Sequence, residues 1–109
     1  MSDALAVVRR QVEAFNAHDV EAFLATYATD ATVSSGVNEP LVGRAAMREH
    51  YVARLADTSL RCRLETVVLF GERFVVAHEE VSGRQGTARV VAVFDVADEL
   101  IQRSMLMTA

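Results

Sequence analysis

One cysteine, one proline and no tryptophan occur among the 109 residues of this chain. The lone cysteine, Cys62, excludes an intrachain disulfide and suits a reducing cytoplasm. No apolar run approaches the roughly 18 residues of a membrane-spanning helix. The opening Met1-Ser2-Asp3-Ala4 lacks the basic start of a secretory signal. Positive charge is not in surplus either: the formal net charge is −4, which argues against nucleic acid or an anionic membrane as a partner. Arg54, Arg61 and Arg63 form the densest basic group, with no aromatic platform among them. A glycine-rich phosphate loop and a dinucleotide fingerprint are absent, and Gly71, Gly83 and Gly86 read as turn residues. The histidines His18, His50 and His78 lack metal-ligand spacing and Cys62 has no close partner, so neither a metal nor another cofactor is expected.

What is present is ordinary globular material, 51% hydrophobic and 24% charged, and it predicts a single domain over residues 1–109. Leu5, Val8, Val12 and Phe15 recur at helical spacing, with Arg9, Arg10 and Glu13 opposite. This first helix is expected to start at Asp3 and to stop at Asn16-Ala17-His18. Asp19 then caps a second helix whose stripe is Val20, Phe23, Leu24 and Tyr27, ended by Thr29-Asp30. A short strand, Ala31 to Ser34, and a polar loop, Ser35 to Pro40, precede a third helix with Met47, Tyr51 and Leu55 inward. Four strands follow, at about Leu60–Phe70, Arg73–Val81, Thr87–Val96 and Leu100–Thr108. Phe70-Gly71-Glu72-Arg73 and Asp98-Glu99 suit tight hairpins, and Ser82–Gly86 a looser one. The pattern predicts an α+β fold, three N-terminal helices across one curved antiparallel sheet, with a cavity between the layers. In Val67–Phe70, Phe74–Ala77 and Val90–Val96 both alternating faces are largely apolar. A sheet with one solvated face would alternate apolar and polar, so a second copy of the chain is expected to cover the outer face.

Three segments carry a family resemblance: Phe15-Asn16-Ala17-His18-Asp19-Val20-Glu21-Ala22-Phe23, Tyr27-Ala28-Thr29-Asp30-Ala31-Thr32-Val33 and Val42-Gly43-Arg44-Ala45-Ala46-Met47-Arg48-Glu49-His50-Tyr51. With the closing pair Val90–Val96 and Leu100-Ile101, they resemble the nuclear transport factor 2-like superfamily, and within it the SnoaL-like and ketosteroid isomerase-like proteins. The resemblance implies a cystatin-like conical barrel, a deep apolar pocket and a homodimer through the outer sheet. It leaves chemistry open, because isomerases, cyclases, hydrolases, dehydratases and non-catalytic binders share the cone. Ketosteroid isomerase uses an aspartate base, with a tyrosine and a protonated aspartic acid as donors to the substrate oxygen. Here Gln11 stands at the position resembling that tyrosine, and Ser34 or Ser35 at that of the base. Asp95 falls where the donor acid is expected, unless the shorter hairpin moves the match to Val93, and Tyr51 matches a further pocket tyrosine.

These positions define the candidates. Asp95 shares a strand face with Val91 and Val93; if that face lines the cone, desolvation raises its pKa. Glu79 shares a face with Val75, Ala77 and Val81, which by family analogy looks inward, although pairing with Arg89 or Arg103 is the plainer alternative. His50, beside Tyr51, reaches the cavity mouth, and Tyr27 is core with its hydroxyl toward the pocket. Arg103, if inward, needs Glu79 or Asp95 as partner. The leading expectation is cofactor-independent proton transfer on a small hydrophobic carbonyl compound. Asp95 and Glu79 are its acid–base pair, and Tyr51, His50, Tyr27 and Arg103 place the ligand. The rival is a non-catalytic homodimer that binds an apolar ligand or a partner protein.

Overall fold

Helix α1 (Ala4–Asn16) begins where its free amides find an acceptor: the Asp3 carboxylate takes the N–H of Ala6 at 3.1 Å. The chain breaks at His18, whose φ is 57°, and Asp19 repeats the capping device for α2 (Val20–Ala25) by accepting from Ala22 N at 3.0 Å. The computed structural model describes residues 3–108. Beyond α2 follow β1 (Tyr27–Ser35), β2 (Leu41–Val42), α3 (Gly43–Arg54), β3 (Arg61–Phe70), β4 (Phe74–Gly83), β5 (Gly86–Ala97) and β6 (Leu100–Thr108). The strands form one sheet in the order β2-β1-β6-β5-β4-β3; only the β1–β6 pair is parallel.

Three boundaries differ from the sequence expectation, each for a local reason. Helix α2 stops before Tyr27, because the Thr26 hydroxyl turns back on Phe23 O at 2.7 Å and Thr26 O accepts Ile101 N at 2.8 Å. Tyr27 therefore opens β1 opposite Ile101 instead of closing a helix, and β1 is more than twice the length expected. The segment after the Ser35–Pro40 loop holds a two-residue strand, β2, paired to Thr32 and Val33. The β4–β5 turn is tight, with Gly83 paired to Gly86, because Asp57 holds it from outside by accepting Arg84 N at 3.0 Å. A Cβ on Gly83 would lie 3.0 Å from both Asp57 Oδ2 and Leu60 Cδ1, so the close approach requires glycine. The Asp98-Glu99 turn has φ of 55° and 61°, the left-handed pair that matches strand twist.

The helices cover one face of the sheet. There Val75, Ala77, Ala92 and Phe94 are completely or almost completely buried, facing Val7, Val8 and Val12 of α1 and Met47 of α3 in one core. Phe23 of α2 joins the layers, its ring 5.4 Å from Tyr27, 4.5 Å from Tyr51 and 6.1 Å from Phe15. Adjacent strand positions look the other way: Val76, Val93 and Met105 share one register row, and Phe74, Asp95 and Arg103 the next.

Strand β3 is the sheet edge, and at its start helix α1 supplies what a seventh strand would. Asn16 Nδ2 donates to Cys62 O at 2.9 Å and Asn16 Oδ1 accepts Cys62 N at 2.7 Å. Replacing Asn16 by Ala strands both backbone groups, partly buried, and is expected to cost about 1–3 kcal/mol. Urea denaturation checks it, as a lower midpoint at unchanged slope.

Candidate functional site

Between the inner sheet face and the three helices lies an open cavity of about 1390 Å³. Its floor is aromatic and aliphatic, with Phe15, Phe23, Leu60 and Val90 among the walls. Among the polar side chains that line the cavity, Tyr27, Tyr51, Glu79 and the Cys62 thiol are buried and Gln11 is half-buried. Strand parity puts Glu79 there: on β4 it alternates with His78 and Glu80, and it pairs across to Leu64 and Val90.

Glu79 is 6% exposed. No arginine forms an ion pair with it among the described residues; Arg89 goes to Glu65 and Glu80, and Arg103 to Asp95. The alternative of a structural Glu79–arginine pair is thus excluded by register. Burial raises the Glu79 pKa above its ordinary 4.5, opposed by a hydrogen bond from the Cys62 thiol. The same burial, reinforced by the neighbouring Glu79 charge, pushes the thiol well up, so Cys62 stays protonated and donates. Burial also pushes Tyr51 up to about 12, although Arg54 nearby lowers it. Tyr27 is driven higher still, chiefly by burial, despite the hydrogen bond its oxygen accepts from Gln11 Nε2 at 3.1 Å. At neutral pH both phenols are neutral hydrogen-bond donors, and of the buried side chains lining the cavity among the described residues Glu79 is the one able to exchange a proton; Glu39, Glu49, His50 and Asp57 line its more open part.

Asp95 is not part of this arrangement. Its strand face, shared with Val91 and Val93, is the outer one, and the carboxylate lies between two guanidinium groups. Arg73 Nη2 donates to Oδ2 at 3.2 Å and Arg103 Nε to the same oxygen at 2.9 Å; Arg73 Nε takes Oδ1. The pKa is lowered, first by the Arg73 hydrogen bond, where inward placement predicts a raised one. The expected Glu79/Asp95 pair is corrected to a single carboxylate, since the sheet separates the two acids. Arg103 is likewise outside, 66% exposed at its side chain, and cannot place a ligand in the cavity. The other expected residues do line the cavity: Tyr51 and Tyr27 within, and His50 at the mouth, where its ring meets Tyr51 edge-on at 4.9 Å. Sequence reasoning missed Cys62, noted only as a lone cysteine without a close partner, and Gln11, read only as the replacement of a tyrosine. The signal for Cys62 was the β3–β4 register, which sets it opposite Val81 and so on the Glu79 face.

A family profile described as the SnoaL-like domain matches residues 8–104. Among solved structures, a cystatin-fold protein of Novosphingobium aromaticivorans is 21% identical, with a TM-score of 0.83, covering 97% of each chain. The epoxide hydrolase/cyclase-like enzyme SalBIII, described for its role in pyran ring formation in the polyether salinomycin, is 16% identical with a TM-score of 0.87. That match covers 96% of this chain and 89% of the other. The protein RV0760c of Mycobacterium tuberculosis is 19% identical, also with a TM-score of 0.87, over 97% and 90% of the two chains. At these identities the likeness establishes a common cystatin-like fold and nothing about substrates.

The two carboxylates carry opposite pH signatures. For Glu79 the folded pKa lies above 4.5, so the unfolded chain releases its proton first and stability falls as pH rises through that window. Glu79→Gln removes the penalty: its melting temperature exceeds the wild type at pH 7, and the gain vanishes below about pH 4. For Asp95 the folded pKa lies below 3.8, so its contribution is present above that value and lost as pH falls through the folded pKa. Asp95→Asn melts below the wild type at pH 7, with the gap closing on acidification. Calorimetric melting temperatures across pH 3 to 8 check both signs.

Proposed function

The chain belongs to the SnoaL-like domain family, and on that footing we propose that its cavity binds a small hydrophobic carbonyl compound and moves a proton on it. Glu79 is the acid–base group of this reading. One observation carries it: a carboxylate buried in the cavity wall without a cation, its pKa raised by desolvation. A raised pKa brings a carboxylate closer to the operating pH, which makes it a stronger base and, once protonated, a usable acid. All eleven basic residues of the chain are arginines. With no lysine to form an imine, activation of a carbonyl by the chain's own side chains rests on hydrogen bonding and proton transfer.

The step is simple to balance. Glu79 takes a proton from the carbon beside the carbonyl; the C–H electron pair moves into the new carbon–carbon double bond, and the negative charge settles on the oxygen. Neutral phenols at Tyr27 and Tyr51 face the cavity to hold that oxygen. The proton on Glu79 then returns to the same carbon or to its conjugate position, which isomerises an enone. Apolar walls keep water from the intermediate and strengthen each of these interactions. His50 at the mouth, and Arg54 beside Tyr51, meet the polar end of a ligand that extends outward.

A panel of ketones, enones and epoxides tests this reading. Turnover of one member is expected in the wild type and in Asp95→Asn, with a loss of about a hundredfold or more in Glu79→Gln. Ligand-induced shifts in melting temperature stay intact in Glu79→Gln. Full turnover in Glu79→Gln overturns the assignment. Binding without turnover across the panel leaves the other reading, a carrier of apolar molecules, which the replacement of the isomerase positions by Gln11 and Ser34 or Ser35 favours.

The proposed partner is a second copy, seated on the outer sheet face. There Val68, Phe70, Phe74, Met105 and Met107 are 36% to 58% exposed, a contiguous apolar surface that water covers at a cost. Cys62, a free thiol, is suited to the cytoplasm. Sedimentation velocity at micromolar concentration is expected to give a dimer for the wild type and a monomer for Phe70→Asp; a monomeric wild type refutes the interface.

A further inference from the structure

The Tyr27 hydroxyl stands at the buried end of the cavity, and two polar side chains outside the proton-transfer scheme converge on it. Gln11 Nε2 donates to its oxygen at 3.1 Å, and this is the one hydrogen bond drawn to that oxygen among the described residues. Ser104 is 4% exposed, on the inner row of β6 between Val33 and Phe94. Its Oγ is buried and has no hydrogen-bond partner in bonding geometry. Yet it lies beside the same phenol, close enough that Ser104, like Gln11, acts to lower the Tyr27 pKa against the large opposing effect of burial. A buried hydroxyl without a partner is costly, and here it is next to an oxygen with a lone pair to offer.

A phenol has one proton and two lone pairs. Gln11 occupies one lone pair, and its amide N–H can only donate. Ser104 Oγ, unpartnered in bonding geometry, is the donor available to the second. The Tyr27 proton then has no acceptor among the described residues and points into the cavity. We infer that Gln11 and Ser104 are positioning residues that commit the Tyr27 hydroxyl to donate, so that the buried end of the cavity selects a ligand with a hydrogen-bond-accepting oxygen, of the carbonyl class, and rejects one that ends in a pure donor such as an ammonium group. Donors that already stand on the phenol oxygen polarise its O–H and strengthen the bond it gives. The inference rests on the reading of the cavity as a ligand site and adds the end at which the ligand's oxygen sits.

The probe is prodan, an aryl ketone whose emission moves to longer wavelength when its carbonyl accepts a hydrogen bond. Emission of the bound probe is expected to move to shorter wavelength in Tyr27→Phe, and part of the way in Gln11→Met and Ser104→Ala. Binding weakens roughly two- to tenfold in each, the equivalent of one net hydrogen bond. Far-ultraviolet circular dichroism and melting curves establish that each variant is folded, and a merely structural role for either residue leaves the emission of the bound probe unmoved. Bound emission unchanged in Tyr27→Phe overturns the inference while leaving the Glu79 reading intact. Emission in Ser104→Ala that stays in place or moves to longer wavelength also overturns it, since Tyr27 would then have been donating to Ser104. Failure of the wild type to bind prodan overturns the cavity reading and this inference together.

Discussion

The parity of one strand decides the chemistry available to this protein. His78, Glu79 and Glu80 are consecutive on β4, and an extended chain sends neighbours to opposite faces. Glu80 goes outward, where Arg63 and Arg89 lie within ion-pairing distance. Glu79 goes inward, where it shares the cavity lining with a thiol and two phenols. A register slip of one residue would turn His78 and Glu80 inward and Glu79 out to the arginines. The long β3–β4 and β4–β5 ladders hold that register, and the β3 ladder is pinned at its free edge by Asn16.

Two acids on one sheet therefore meet opposite fates. Asp95 is as well covered as Glu79, 3% exposed against 6%, but its cover is made of guanidinium groups. Arg73 and Arg103 are more than half exposed at their side chains, so their charges remain hydrated while their N–H groups bond the carboxylate. Glu79 is covered by hydrocarbon, aromatic rings and one weak donor. Accessibility is low in both cases; the chemical identity of the covering atoms sets the sign of the pKa shift. A buried carboxylate with no cation costs folding free energy. Its presence in a cavity wall is the observation on which the proposed acid–base role rests.

The layers were legible in the sequence because their signals are local. Asp3 and Asp19 announce two helix starts, Met47, Tyr51 and Leu55 mark a third amphipathic face, and the glycine and acidic turns divide the last strands. The inward orientation of Glu79 was legible as well, through its companions Val75, Ala77 and Val81. What was not legible depends on pairing between distant segments. Tyr27 continues the apolar spacing of α2, and only its parallel partner on β6 draws it into a strand. Asp95 lies on a strand with valines on both faces, so alternation alone could not say which face was inner. The bulge between Asp95 and Val96 obscures the parity further. The two-residue strand β2 has no periodicity to detect.

The boundary at Tyr27 has a consequence for the cavity. As the last turn of a helix, its side chain would follow the Phe23 stripe into the helix–helix core. As the first residue of β1 it stands on the sheet, still stacked on Phe23 at 5.4 Å but with its oxygen under α1, within reach of Gln11. The Thr26 hydroxyl that ends α2, and the Ile101 amide that takes Thr26 O into the sheet, fix that orientation by backbone geometry. Thus a helix-terminating hydroxyl on one side of the peptide and a parallel strand on the other deliver a neutral phenol to the wall that Glu79 shares. The donor and the carboxylate come from strands three places apart in the sheet order, β1 and β4, and both line the same cavity.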